Sequence, residues 1–540
     1  MKFIYKPLFF IVLTALILSC AKTGRPDGGP KDENAPLFVN SNPPYKTINF
    51  NKKEVKLEFN EFIKLKDLNK QLVVSPPLKN PLLVTPQGTA SKFLKIEILD
   101  TLAKNTTYIF NFGNAIEDNN ESNQLEQFKY IFSTGSYIDS LETSGTIKDA
   151  FLNKKPKNTS VVLYKLDSTY TDSIIYKQKP NYVTTAIDTT SFRFTNLKEG
   201  KYLLMALEES TSDYIFNPKL DKIGFYTDTI TLPKDSIINI PITLFKEKQP
   251  YAFKRAKEIT KGKIEFGYEG EVKDFKVSLL SKVPEDFKSI SKFELEKDTL
   301  NYWFTPLELD SLNFLVKNDI FIDTVTVKFR KKKLDSLTLK PSISGTLQFR
   351  DTFFIKSNNP IIKLDTSKIT FTNKDSINVK YSNFVSSKEN KIGFIFKKNQ
   401  KESYNIKALP GSFTDIYNIQ NDTLNYNFNT IELEDYGKIT LNVINSDSEN
   451  LIIDLLTGKD FDKIVERRYL NKTEKLVFTL LVPDTYMVRA IIDKNNNKKW
   501  DTGNFLLRQK PENIIYYQEE LKVRANYFLE GNTFTVKNLK

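Results

Sequence analysis

The 540-residue chain carries 79 basic and 66 acidic side chains for a net charge of +13, has no histidine, and has a single cysteine. Those counts exclude Ser-His-Asp triads, Cys-His dyads, histidine-ligated zinc or iron, thiolate clusters and any intramolecular disulfide. The length allows several domains. A 13% aromatic content, with abundant Tyr, Phe, Ile, Val and Thr, favours β-structure. Lysines are spread along the chain without a nucleic-acid motif, so an anionic envelope surface, and not nucleic acid, is the expected partner. The one dense basic run, Arg330 to Lys333, follows a strand-like segment and reads as protection of a sheet edge.

The N-terminal "MKFIYKPLFFIVLTALILSC" places Lys2 and Lys6 before an apolar run from Leu8 to Leu18. That run is too short to span a bilayer and suits a signal-peptide core. Ile17-Leu18-Ser19-Cys20 resembles the lipobox of bacterial lipoproteins. The resemblance implies that residues 1–19 are removed after Ser19 and that Cys20 is lipidated. Several acyl chains, at about 0.8 kcal/mol per buried methylene, would make the anchor permanent. Residues 20–35, rich in Gly, Pro and charge, read as a flexible tether. Within it, Lys31-Asp32-Glu33 is similar to the signal that sends some Gram-negative lipoproteins to the outer face of the outer membrane. Cell-surface placement is therefore expected, with a periplasm-facing lipoprotein as the alternative.

The remaining chain lacks sustained helical periodicity and is dense in short alternating runs, such as Val55, Leu57 and Phe59, or Tyr108, Phe110 and Phe112. Turn residues every eight to twelve positions mark serial antiparallel β-sandwiches, an all-β fold class. Residues 36–135, with "LEFNEFI", "LAKNTTYIFNFGNAIEDNNES" and a closing "FSTG", resemble the bacterial Ig-like domain known from surface-layer proteins, which implies a spacer without catalysis. Residues 136–246 contain "SGTIKDA", "VVLYKL" and "FRFTNLKEGKYLLMALEES" and resemble the transthyretin-like or carboxypeptidase-regulatory sandwich. In its Leu-x-x-Gly-x-Tyr turn, Gly200 takes a conformation that a β-carbon hinders. A linking β-module is expected over 247–345 and a diverged Ig-like domain over 346–432. Residues 433–540 read as a second transthyretin-like sandwich with a C-terminal strand. "LVFTLLVPDTYMVRAIIDK" lies on the first copy at one constant offset, pairing Phe194 with Phe478, Leu197 with Leu481, Tyr202 with Tyr486 and Ala206 with Ala490; Asp484 replaces Gly200.

After the second copy's core strand comes "DKNNNKKWDTGN", in which Asp493, Asn495, Asn497 and Asp501 resemble the oxygen ligands of a calcium-bound turn. It departs from that pattern at Lys498, where a sharp turn uses glycine, and at Asn504, where a bidentate Glu would close the loop. The expectation is a structural hairpin with Trp500 packed beside its own turn. A weakened calcium site is the alternative, and no cofactor is required. The first copy has "EESTSDYIFNPKLDK" at this place, acidic but without the alternating ligands. Asp-Ser/Thr-aliphatic triplets, including those at Thr101, Ser140, Ser311 and Thr324, are similar to bacterial O-glycosylation acceptors, although turns that enter strands explain most of them. The carboxylate groups Glu208-Glu209, Glu432/Glu434 and Glu117/Asp118/Glu121 read as exposed strand or loop positions.

Together these features predict a non-catalytic outer-membrane lipoprotein, a scaffold or accessory subunit that binds another envelope protein. Surface glycan binding through Trp303 or Trp500 is the alternative, and a histidine-independent hydrolase ranks below both.

Overall fold

The computed structural model describes residues 32–156, 159–186, 190–209, 211, 213–236, 239–294 and 297–537. Ser19, Cys20 and Lys31 lie outside the described residues. The described chain is almost entirely β and folds as a series of sandwiches, here modules 1 to 5 in chain order.

In module 1 one sheet orders Phe38–Asn42, Glu54–Leu65, Ser91–Glu97 and Leu83–Thr85, with Ile116–Asp118 pairing the end of Glu54–Leu65. The facing sheet orders Val73–Ser75, Thr107–Asn111 and Lys129–Ser133. Val55, Leu57 and Phe59 enter the core as the period of two requires. Thr107–Asn111 does not alternate and is buried on both faces. Its outer face meets module 2, where the Ser75 hydroxyl accepts from Val183 N at 2.7 Å.

Modules 2 and 5 share one topology. Module 2 has a sheet ordered Tyr182–Thr185, Thr159–Lys165, Gly200–Glu208 and Lys222–Phe225, opposite Ser191–Leu197, Leu141–Asp149 and Asn239–Leu244. Module 5 repeats it with Lys463–Leu470, Leu451–Thr457, Asp484–Ile492 and Ile514–Tyr516, opposite Glu474–Leu481, Gly437–Asn445 and Phe528–Val536. In both, the last strand lies parallel to the first, a departure from purely antiparallel pairing. Tyr202 donates to Lys198 O at 2.9 Å and Tyr486 to Val482 O at 2.8 Å, the same bond at the same offset. Gly200 has a positive φ, as expected of the turn, but Asp484 does not; the positive φ shared by the copies falls on Asn196 and Leu480, one bulge earlier.

Module 3 packs Ala252–Thr260, Lys263–Glu269, Thr299–Thr305 and Lys288–Glu294 on Lys276–Leu279, Ser311–Asn318 and Phe321–Lys328. Module 4 has sheets built on Phe353–Ser357 with Lys391–Phe396 and on Ser403–Ala408 with Leu424–Asn429. The modules do not simply follow one another. Gln249 donates to Pro218 O across modules 2 and 3. Lys292 donates to Ser386 O and Glu389 O across modules 3 and 4. Arg350 pairs with Glu466 across modules 4 and 5. Module 5 then returns to module 2 and closes the circuit.

Candidate functional site

The closure is made by the 493–513 loop. Asp493, 2% exposed, sits at the end of a core strand and accepts Asn497 N on Oδ1 and Lys498 N on Oδ2, at 3.0 and 2.8 Å. Asn495 Oδ1 accepts Asn497 N, and Asn497 Oδ1 accepts Lys499 N. The two amide groups donate to Asp501 Oδ2 at 2.7 and 2.6 Å, while Lys248 reaches Asp501 Oδ1 at 3.1 Å. Burial opposes ionisation of Asp501, but the amide and lysine bonds hold its carboxyl below the usual range. The four oxygen-bearing side chains read from the sequence are therefore brought together with their oxygens engaged in the loop's own bonds. Among the described residues no group of three or more His, Cys, Asp or Glu is arranged to hold a metal ion.

Glu512, which the sequence reading missed, closes the loop instead of the residue at 504. Its carboxylate accepts Lys494 N at 2.8 Å and Asp501 N at 3.0 Å. Desolvation, with help from Asp501 and Asp493, raises its pKa. No local spacing announces this residue, because the hairpin that carries it back is long.

Trp500 does not pack beside its own turn alone. Its Nε1 donates to Glu512 O, but its ring lies 4.8 Å from Phe151 of module 2. The tip goes further. Phe505, 0% exposed, joins the module 2 cluster with Phe225 and Phe245. Phe505 N donates to the buried carboxylate of Glu247 at 2.6 Å, and Thr502 donates to Lys246 O at 2.7 Å. Burial raises Glu247's pKa, and the Phe505 N bond works against that rise. A β-carbon on Gly503 would meet the Phe245 ring at 2.7 Å. Arg508 pairs with Asp172, and Arg489, held by buried Asp454, stacks on the Phe151 ring at 4.4 Å. Beside this clasp lies a cavity of about 600 Å³ lined by Lys148, Lys154, Lys155, Ile514, Ile515 and Tyr516 among others.

The module 2 loop proves to be the same device. Tyr214 N donates to Glu209 Oε2 at 3.0 Å, matching Lys498 and Asp493. Asn217 N donates to Asp221 Oδ2 at 2.8 Å, matching Asp501 and Glu512. Asp221 N returns to Asn217 O as Glu512 N returns to Asp501 O, both at 2.9 Å. The likeness is more than a shared polar connection: in each loop two carboxylates accept N–H groups at equivalent positions.

The other candidates are placed as follows. Asp32 and Glu33 are exposed, and Asp32 O accepts from Asn123 of module 1. Thr101, Ser140, Ser311 and Thr324 are all exposed. Trp303 is 2% exposed beneath Lys263, so it offers no aromatic platform to a glycan. Glu432 and Glu434 lie on no strand; Glu432 caps the short helix Leu433–Asp435. Glu117 and Asp118 are buried, not solvated, because Asp118 gathers the N–H groups of residues 120 to 123. Burial opposes its ionisation, and these four bonds outweigh burial to lower its pKa. Asp415 likewise accepts the N–H groups of residues 417 and 419 in module 4. Glu208 pairs with Lys222, whereas Glu209 is buried.

Residues 32–134 match the model of the bacterial Ig-like domain family. That match falls on module 1 and on the resemblance drawn at 36–135. Among curated proteins none matches. Solved structures with some likeness include the S-layer protein SbsC, 10% identical over 90% of this chain and 67% of that one, TM-score 0.14. SbsC domains 5-6 are 11% identical over 34% and 99%, TM-score 0.17. The major pilin subunit BcpA of Bacillus cereus is 10% identical over 74% and 100%, TM-score 0.13. Scores this low carry no argument about shape or activity.

Proposed function

We propose that the chain is a non-catalytic, lipid-anchored protein of the bacterial cell envelope that serves as a rigid multidomain scaffold for another envelope protein at the outer membrane. The observation that carries this reading is the clasp: Phe505 of module 5 is wholly buried in module 2, which ties modules 2 to 5 into one body. Such a body presents sheet faces at fixed separations, which suits holding a partner. The Ig-like module beside it supports the same reading. Anchoring rests on Cys20 and its lipobox-like context, and surface exposure on Lys31, Asp32 and Glu33. The net charge of +13 suits an anionic envelope surface.

The test is purification of the tagged chain from detergent-solubilised envelope. A stoichiometric membrane-protein partner is expected, and a monodisperse monomer would count against the scaffold role. Cys20→Ala should shift the chain to the soluble fraction while leaving its melting profile unchanged. Protease added to intact cells should degrade the body from outside; full protection would place it on the periplasmic face.

A further inference from the structure

We propose that the outer face of one module 4 sheet docks on an anionic lipid bilayer. The sheet orders Leu339–Pro341, Phe353–Ser357, Lys391–Phe396 and Tyr381–Val385. Phe353, Ile355, Ile392 and Phe394 enter the core, so the residues that alternate with them form the outer face. There Lys340, Lys356 and Lys391 stand directly opposite one another across three strands. The next row is Phe354, Gly393 and Phe384, and beyond it Ile395 faces Ser382. The Phe354 and Phe384 rings meet edge to face at 6.0 Å over Gly393, where a β-carbon would strike both. Ile395 is 54% and Phe384 40% exposed.

Folding does not account for this face. Like charges directly opposite one another in a sheet oppose its pairing. Lys356 and Lys391 lie on the two inner strands, where there is no edge to protect. The four strands contain no acidic residue. Lys391 pairs with Glu389 in the adjoining turn and lies 4.6 Å from the centre of the Phe354 ring. Lys340 and Lys356 are exposed and form no ion pair among the described residues. Lys292 of module 3 grips the same turn at Ser386 O and Glu389 O and leaves the face open. Lys380 and Lys397, both exposed, lie immediately beyond the other end of the two paired strands. The apolar centre therefore has cations at both ends. On a flat sheet this suits anionic headgroups above an acyl phase, the lysines meeting the headgroups while Phe384 and Ile395 reach past them. A soluble polyanion would use the lysines alone. The inference rests on the envelope location proposed above and names the face that meets the membrane.

The chain from residue 20 onward, with Cys20→Ala so that no acyl group contributes, retains every described residue. It is sedimented with phosphatidylcholine vesicles containing about one-third phosphatidylglycerol, and with phosphatidylcholine vesicles alone. Binding to the anionic vesicles only is expected, and it should weaken as salt rises. Lys340→Gln with Lys356→Gln should weaken it about twenty-five-fold, at roughly fivefold per lysine, while melting at or above the wild-type temperature. Ile395→Ser should weaken it at least about threefold. Lys52→Gln with Lys53→Gln, the same charge loss at exposed positions of module 1, should leave it unchanged. The proposal is overturned by absent binding, by equal binding to neutral vesicles, or by equal losses in the two lysine pairs. Loss in the Lys340 and Lys356 variant with wild-type binding in I395S would overturn the lipid assignment in favour of a soluble polyanion. Vesicle binding is read without any partner protein, so it stands even if envelope purification yields a bare monomer; a partner recovered without vesicle binding overturns this inference alone.

Discussion

Glu209 shows how one buried side chain couples stability to pH. Burial raises its pKa from 4.5 to about 7, with Asp213 and Asp221 adding to the rise and the Tyr214 N–H opposing it. The folded chain therefore holds a proton that the unfolded chain releases between about pH 4.5 and 7. This carboxyl's contribution to stability is full below the unfolded value and falls as pH rises through the folded one. Glu209→Gln should gain over the wild type by up to about 3 kcal/mol at pH 8 and gain nothing at pH 4, read from denaturant melts across that range. A constant difference at all pH values would refute the assignment. Asp118 has the opposite sign: its lowered pKa stabilises at neutral pH, and the benefit is lost on acidification. Asp118→Ala strands four loop N–H groups, so it should cost about 1–3 kcal/mol at pH 7, measured by urea titration.

At the level of elements, the repeated Tyr bond offers a symmetric test. Tyr202→Phe and Tyr486→Phe each remove one hydroxyl bond to a backbone oxygen four residues earlier. Each should cost about 1 kcal/mol. The double variant should show the sum, because the two sites share no partner. A marked excess over the sum in equilibrium melts would show that the modules transmit strain between those positions. The clasp loop is the element with the largest single anchor. Phe505→Ala empties a fully buried ring site and should cost about 3–5 kcal/mol of docking. The expected readout is faster protease cleavage within 494–512, with the secondary-structure signal of module 5 retained. Unchanged cleavage would mean that the loop is held by Thr502, Arg508 and Trp500 without the ring.

Over the whole molecule, the question is whether modules 2 to 5 move as one. Three separate junctions and the clasp link them, and the interface of modules 2 and 5 adds the Arg489–Phe151 stack and the Tyr516 bond to Phe151 O. Opening one junction of a closed circuit frees the others to swing. F505A combined with Gly503→Val should therefore increase the radius of gyration in solution scattering, with modules 2 and 5 both still folded. The wild type should give one cooperative transition for modules 2 to 5, and the double variant at least two, in calorimetric scans.

Much of this protein could be read from its residues alone. Alternation of apolar side chains dictated sandwiches, because a strand with one face in a core must repeat at two. The Ig-like character of 36–135 was legible in its turns and strand ends, and the offset that joins Phe194 to Phe478 and Tyr202 to Tyr486 joins strands with the same pairing. The reading failed where a second surface intervened. Thr107–Asn111, Gly200–Glu208 and Asp484–Ile492 are buried on both faces because other modules or loops cover the outer one. Trp303, Glu117 and Asp118 are also inside, and Glu432 turned a helix that a strand pattern had hidden. At the candidate site, Asp493, Asn495, Asn497 and Asp501 were visible as a regular spacing, whereas Glu512, Glu247 and Phe505 were not. Their partners lie up to hundreds of residues away, and local spacing holds no record of which distant surface will fold against it. The residues by themselves determined a string of β-sandwiches with a repeated pair of core strands; only the tertiary structure decided that the loops after those strands are alike, that the second buries its aromatic tip in the first copy, and that the string becomes a closed body.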